Sequence, residues 1–201
     1  MASASITGVD FDGHKLRSGR FGRETGAAGV LVSEIDDFTA ATVIARKSKT
    51  ADVVARLSGI VGLTVEDLPK RVASPELAIT GVGPGQWLAV QRGGTRADLV
   101  GLLSRELSGL AAITEQGSSR AIFHVSGPDA RATLAKGVPV DIDARVFKVG
   151  DAAQTIAGHI GLGIALLDAS PRFEIVSALS TRGSLLSWLL SSAAEYGIEI
   201  A

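Results

Sequence analysis

Short runs of β-branched residues and longer amphipathic runs alternate from residue 29 onward, which predicts a mixture of strands and helices. Residues 110–115 and 121–125 are expected to be adjacent strands joined by a polar turn, whereas residues 63–84 give only weak signals. Because the strands mostly pair with neighbours and helices are interspersed, we expect an α+β fold with antiparallel or mixed sheets and packed helices. The β-branched runs predict strands at residues 29–35, 42–46, 86–91, 110–115, 121–125, 152–158, 160–167 and 173–177.

Two helices are indicated in the first half of the chain. Thr50 is a suitable N-cap for a helix that runs to residue 58 and ends at Gly59. Thr95 and Asp98 resemble a capping box, with Asp in place of the usual Glu or Gln, and begin a second helix that reaches residue 108. The apolar face of this second helix consists of Leu99, Val100, Leu103 and Leu107.

Two further helices are indicated in the second half. Ser126 is expected to cap a helix with Pro128 in its first turn and Gly137 just past its end, the usual asymmetry of start and stop residues. A last helix is expected over residues 181–196, ending at Gly197.

Residues 1–28 mix Gly, Ser, Arg and Asp without an apolar period and are expected to form an extended N-terminal arm. Phe11, Leu16 and Phe21 are isolated apolar residues in this arm. The arm is either disordered or anchored on a partner by those side chains. Residues 29–201 are expected to form a single compact α+β unit, and two strand–helix–strand halves within it are compatible with the pattern.

Composition narrows the class of protein. Hydrophobic residues make up 46% and charged residues 20% of the 201, so the chain can bury a core. The net charge of −1 argues against nucleic acid or an anionic membrane as the main partner. The absence of Cys excludes disulfides, thiolate metal sites and cysteine nucleophiles. With no secretory signal and no apolar run of about 20 residues, a cytoplasmic protein is expected, unless another chain's signal exports a complex.

The usual signatures of catalysis and of cofactor or metal binding are missing. His14, His124 and His159 have no ligands at metal-site spacing. The glycines of residues 81–85 precede a strand rather than a helix, so they indicate a turn and not a phosphate loop. Asp141 and Asp143 are expected to have loop roles. We therefore expect no catalytic, cofactor-binding or metal-binding residue on this chain.

Trp188 lies on the polar side of the last predicted helix, among Ser184, Ser187, Ser191 and Glu195. Another part of this chain covers the indole, or a partner protein does, since Trp is enriched at the centres of interfaces. Trp87 is expected in the core. The core face of the last helix follows from a period of about 100° per residue: Leu185, Leu186, Leu189, Leu190, Ala193 and Tyr196.

Five segments carry a resemblance to a known family: residues 113–120, 125–130, 134–141, 145–150 with Thr155, and 187–197. They resemble the gamma subunit of heterotetrameric sarcosine oxidase over residues 86–198, and loosely before that. The segments Ser126-Gly127-Pro128-Asp129-Ala130 and Lys136-Gly137-Val138-Pro139-Val140-Asp141 are also similar to the folate-binding fold of aminomethyltransferases. The resemblance thus implies a reduced aminomethyltransferase-like fold.

The resemblance further implies an accessory chain in a complex with alpha (large), beta and delta subunits. Such complexes oxidatively demethylate sarcosine or a similar N-methyl amine. FAD, FMN, NAD and tetrahydrofolate are then expected on the partner subunits and no cofactor on this chain. We expect Phe11, Phe21, Arg182 and Trp188 to contact the large subunit.

Two departures from the family pattern and two alternatives remain. Val138 stands where many family members have Cys, and residues 178–183 differ from the sequence that is usual before the last helix. The second difference leaves open which N-methyl amine is the substrate.

A stand-alone folate-binding enzyme or tRNA-modification factor of the same fold is one alternative, although the missing Cys and the short chain argue against it. A regulatory small-molecule-binding domain is the other.

Overall fold

The structure is a computed structural model that describes residues 11–12, 15–16 and 18–201, with the side chains of residues 11–17, 96 and 97 outside the description. The chain divides into two compact units. The first unit comprises residues up to 35, 121–149 and 155–201, and the second comprises residues 36–120 and 150–154.

Helices and strands alternate along the described residues. The helices are α1 (Thr50–Val61), α2 (Arg96–Glu106), α3 (Ala130–Ala135) and α4 (Arg182–Ala193), with 3-10 turns at Gly117–Ser119 and Leu179–Thr181. The strands are β1 (Phe11–Asp12), β2 (Lys15–Leu16), β3 (Gly19–Phe21), β4 (Val30–Ile35), β5 (Phe38–Ala45), β6 (Arg71–Ala73), β7 (Leu77–Gly83), β8 (Gln86–Arg92), β9 (Ala111–Glu115), β10 (Arg120–Ser126), β11 (Ala152–Ala157), β12 (Ile160–Asp168), β13 (Arg172–Ala178) and β14 (Ile198–Ile200).

The second unit is a five-stranded sheet in the order β6-β7-β8-β5-β9, in which every neighbouring pair is antiparallel. Since β8 and β9 lie on either side of β5, helix α2 forms a crossover that passes from one neighbour of β5 to the other. Helices α1 and α2 bury their apolar sides against one face of this sheet. The core so formed contains Val43, Val53, Leu57, Ile79, Trp87, Leu99, Leu103 and Leu107, each at most 1% exposed.

The first unit is a seven-stranded sheet in the order β11-β12-β13-β10-β4-β14-β3. Strand β10 runs antiparallel to β4, whereas β14 runs parallel to β4 and antiparallel to β3. Helices α3 and α4 pack against each other and contact strands of the same sheet. Their core residues, all buried, include Ala130, Leu134, Leu185, Leu186, Leu189 and Ala193.

The α+β class with helices packed on sheets is confirmed, but one strand pairing was wrong. Strands β9 and β10 belong to different sheets, because the 3-10 turn at Gly117–Ser119 separates them. Strand β10 pairs with β4, with Val125 opposite Val32. Its residues Ala121, Ile122 and Phe123 are all buried, which suits a strand in the interior of a sheet.

The first two helices lie close to the expected residues, but the prediction of Thr50 as the N-cap of α1 was wrong: the N-cap is Lys49, and Thr50 is the first helical residue. Helix α2 ends at Glu106 rather than at residue 108. Helix α1 passes through Gly59 and ends one turn later, where Gly62 adopts a left-handed conformation (φ 73°) and Val61 gains burial. The capping box of α2 is confirmed: Asp98 N–H donates to Thr95 Oγ1 at 3.3 Å, and Thr95 N–H donates to Asp98 Oδ2 at 3.0 Å.

Helix α3 begins at Ala130, so the prediction of Ser126 as its N-cap was wrong. Ser126 is the last residue of β10, opposite Leu31. Gly127 has a φ of 108°, which turns the chain before a helix can begin, and Pro128 lies in that turn. Helix α4 was expected over residues 181–196. It begins one residue later, at Arg182, and ends three residues earlier, at Ala193, with a turn over residues 194–196.

Six of the described strands were not predicted. Residues 63–84 contain β6 and β7, the expected arm contains β1, β2 and β3, and β14 follows Gly197. Three of these strands are only three residues long, too short to show an alternation of apolar and polar positions.

Candidate partner interface

Helix α4 separates its apolar and polar sides as expected. Leu185, Leu186, Leu189, Leu190 and Ala193 are buried, which confirms the predicted core face. The serines at 184, 187 and 191 are exposed on the opposite side. The helix therefore presents small hydroxyl groups to its surroundings, and Trp188 is the large side chain among them.

Trp188 is half-buried and lies against two glycines of its own unit. A Cβ atom on Gly137, just after α3, would lie 2.6 Å from Trp188 Cζ2. A Cβ atom on Gly158, between β11 and β12, would lie 2.6 Å from Trp188 Cδ1. Because no side chain fits at those distances, both glycines give the indole its space. Part of the indole is thus covered by this chain itself, the first of the two explanations.

The turn that carries Gly158 has a defined conformation. Gly158 and His159 have φ angles of 52° and 73° and form the two-residue connection between β11 and β12. Positive φ at both central positions is the signature of a type I′ hairpin turn. His159 therefore holds a left-handed backbone conformation in this turn, in agreement with its expected structural role.

Lys136 joins the ends of α3 and α4. Its ammonium group donates to the Ser192 carbonyl, contacts Glu195 Oε1 at 2.5 Å, and lies 4.6 Å from the centre of the Tyr196 ring. A cation at the C-terminal end of a helix interacts favourably with the helix dipole. The hydrogen bond from Lys136 also lowers the pKa of Glu195. Two of the segments that carry the family resemblance thus meet here and stabilise the helix pair.

Arg182, the first residue of α4, forms an ion pair with Glu34 of β4. The two side chains are only 13% and 15% exposed, so the pair is largely shielded from solvent. Sequence reasoning missed Glu34, because no local pattern connects residues so far apart in the chain. The expected contact of Arg182 with a partner stays a prediction.

The two phenylalanines of the predicted interface lie near the start of the chain. Phe21 is half-buried at the end of β3, opposite Ile198 of β14. Phe11 lies in β1, paired with Leu16 of β2, and its side chain is outside the described part of the structure. Their contact with a partner also stays a prediction.

Asp141 and Asp143 organise a loop, as expected. Asp141 Oδ1 accepts a hydrogen bond from Asp143 N–H at 3.0 Å. Asp143 accepts from both the backbone and the guanidinium of Arg145, at 2.8 and 2.9 Å. These bonds, the one from the guanidinium first, lower the pKa of Asp143 to about 2. Both carboxylates therefore act as turn-forming groups.

The same loop displays two valines that the sequence reasoning did not single out. Val146 and Val149 are 58% and 54% exposed and flank Phe147, which is buried. Arg145 and Lys148 alternate with them along the loop. Three apolar residues lie close together here, next to two cations, in a segment with neither a helical nor a strand period. That pattern could have pointed to these valines.

The remaining candidate groups have structural contacts. Nε2 of His124 lies 3.4 Å from Oε2 of Glu174 on the neighbouring strand, whereas His14 is outside the described residues. The predicted turn at residues 81–85 is confined to Pro84 and Gly85, which connect β7 to β8, whereas residues 81–83 belong to β7. Trp87 is 1% exposed, as expected for a core residue, and its indole N–H donates to the Glu66 carbonyl at 3.0 Å.

Two features are absent from the residues that the structure describes. No three side chains of His, Asp or Glu in this part of the chain lie together as a metal-binding group. No helix within it has the length and apolar character needed to cross a membrane.

The fold is that of aminomethyltransferase-like proteins. It is similar to a chain of heterotetrameric sarcosine oxidase from Corynebacterium sp. U-96 in complex with pyrrole 2-carboxylate, with a TM-score of 0.75 and 21% identity over 86% of this chain and 87% of that chain. It is also similar to the glycine cleavage system aminomethyltransferase T from Bartonella henselae, with a TM-score of 0.64 and 15% identity over 87% of this chain and 48% of that chain. No protein-family model and no curated protein matches the sequence.

Proposed function

We propose that this chain is the accessory (gamma) subunit of a heterotetrameric, flavin-dependent oxidase of the sarcosine oxidase type. The observation that carries the proposal is the extent of the structural similarity. This chain and the sarcosine oxidase chain cover each other almost equally, at 86% and 87%, whereas it spans only 48% of the aminomethyltransferase. The similarity to the sarcosine oxidase chain thus extends over nearly all of both chains, which supports a counterpart of that chain.

The contacts made by residues of the family-like segments support the same role. Gly137 accommodates Trp188, Lys136 contacts the end of α4, and Arg145 donates to Asp143 in its loop. Each of these groups has a packing or hydrogen-bonding partner within its own unit. In the proposed complex the chain would support the large subunit, while FAD, FMN, NAD and tetrahydrofolate would belong to the alpha, beta and delta subunits. The complex as a whole would oxidatively demethylate sarcosine or a related N-methyl amine.

The direct test is purification of the tagged chain from its native host. We expect three other chains in stable proportion and the visible absorbance of flavin in the same fraction. The purified assembly should consume oxygen when supplied with sarcosine or another N-methyl amine, and a panel of such amines would identify the substrate. Elution of the chain alone and colourless at native abundance would overturn the proposal.

A stand-alone folate-binding enzyme or tRNA-modification factor is the second candidate, favoured by the similarity to aminomethyltransferase T. The two candidates differ in what the isolated chain binds. Titration of the purified chain with tetrahydrofolate should give no saturable binding if it is an accessory subunit. Tight binding would favour the second candidate.

A further inference from the structure

Strand β9 forms one edge of the second unit's sheet, with β5 as its neighbour on one side and, among the residues that the structure describes, no strand on the other. In an antiparallel sheet every second residue directs its N–H and C=O groups away from the neighbour, so an edge strand offers a row of unpaired groups. Natural proteins usually protect such an edge with Lys, Pro or a bulge. Residues 111–115 contain no Lys or Pro, and β9 pairs with β5 in continuous register.

The single charge on β9 does little to protect its edge. Glu115 is the last residue of the strand, and its Oε1 accepts a hydrogen bond from Gly117 N–H at 2.7 Å. Ala112 and Thr114 are exposed and small, so a second backbone could approach them closely. Leu110 and Ile113 are only partly buried against the core. An added strand with an apolar residue beside Ile113 would complete this burial.

A group of cations stands at the beginning of the same edge. Arg46 N–H donates to the Leu110 carbonyl at 2.8 Å, which places the start of the loop of residues 46–49 directly beside the residue that precedes β9. Arg46 and Lys47 are exposed, and neither forms an ion pair with an acidic side chain of the described residues. Lys49 contacts Asp52 at 3.1 Å. The edge is therefore basic at its start and uncharged along most of its length.

We infer that β9 is a docking edge for an extended, acidic segment of the partner subunit, which adds a sixth strand to the second unit's sheet. Main-chain hydrogen bonds supply the affinity of strand addition, and side chains supply its specificity. Here the specificity comes from acidic residues that face Arg46 and Lys47 and from an apolar residue that covers Ile113. This inference rests on the proposed function, since it names the surface through which the accessory subunit joins the larger one.

Hydrogen exchange provides the first test. Amide exchange is measured on the isolated chain and on the assembly purified with the tagged chain from its native host. We expect exchange at residues 112–115 to slow by at least about tenfold in the assembly, because opening would require loss of the added strand. Exchange at the rate of the isolated chain would overturn the edge inference while leaving the accessory-subunit proposal intact. Failure of the wild-type chain to enter any assembly would overturn both.

Charge reversal provides the second test. Arg46→Glu and wild-type chains with different tags are expressed together in the native host, and their ratio in the purified assembly is measured. We expect Arg46→Glu to be under-represented by about tenfold, with the difference reduced at high salt. Arg56→Glu is the matched control, since Arg56 is an exposed arginine on α1 of the same unit and should be incorporated normally.

Two outcomes of these measurements contradict the inference. Equal incorporation of Arg46→Glu and wild type would show that the cations do not select the partner. Slowed exchange at residues 112–115 in a dimer of the isolated chain would show that a second copy, rather than a larger subunit, occupies the edge.

Discussion

Replacement of Gly137 by Ala is expected to destabilise the first unit through one contact. The added methyl carbon would lie 2.6 Å from Cζ2, 2.9 Å from Cε2 and 3.0 Å from Nε1 of Trp188, closer than the 3.4 Å at which ordinary van der Waals contact begins. Gly137 has no positive φ, so Ala introduces no backbone strain there. The indole must therefore move, and overpacking of this kind typically costs about 1–3 kcal/mol.

A double-mutant cycle with Trp188→Ala isolates this contact. Removal of the indole opens the space that the methyl group needs, so Gly137→Ala should cost less than about 0.5 kcal/mol in that background. The two substitutions should therefore couple by about 1–2 kcal/mol. The assay is urea denaturation followed by far-ultraviolet circular dichroism, with the midpoint and slope compared among the four proteins.

Gly59→Ala is the matched control for this cycle. Gly59 lies inside α1, and a Cβ atom there would meet nothing within 4 Å. The same substitution should raise stability by about 0.5–1 kcal/mol, because Ala is the better helix former. If Gly137→Ala costs as much without Trp188 as with it, the clash with the indole is not the cause and the packing argument is refuted.

Substitutions at three further positions test individual groups. Thr133 is fully buried on α3, and its hydroxyl has no hydrogen-bond partner among the described residues. Thr133→Val should therefore raise the unfolding free energy by about 1 kcal/mol, whereas Thr133→Ser should lower it. His159→Gly should raise the melting temperature, because the φ of 73° at this position strains a residue with a Cβ atom but not glycine. The expected gain in the free energy of unfolding is about 1 kcal/mol. The pKa of Asp143 is lowered to about 2, so its contribution to stability is present above pH 4 and lost as the pH falls towards 2. An Asp143→Asn variant should show a smaller loss over that range in acid titrations followed by circular dichroism.

Features that depend on residues a few positions apart could be predicted from the sequence. The capping box of Thr95 and Asp98 and the core face of α4 follow from spacings of three and four residues, which fix neighbours on a helix. The position of Trp188 on the polar side of α4 follows from the same spacing. These relations are local, so no knowledge of the tertiary fold is needed to find them.

Features that join distant segments could not be predicted in this way. The pairing of β10 with β4 depends on two strands that the whole second unit separates in sequence. The ion pair of Arg182 with Glu34 and the cover of Trp188 by Gly158 have the same character. In each case the register of a sheet or the packing of a helix determines which residues meet. Neither produces a periodic pattern in the sequence that could be recognised.

The place of β14 has a consequence for the order of folding. This strand, residues 198–200, lies between β3 and β4, which both come from the first 35 residues. It pairs with β4 in parallel. The second unit draws almost all of its residues from one continuous stretch, 36–120. During synthesis that stretch can collapse while the sheet of the first unit still lacks an interior strand. The gap closes only after residues 198–200 have been synthesised, and because contacts between distant segments form slowly, we expect the first unit to fold more slowly than the second.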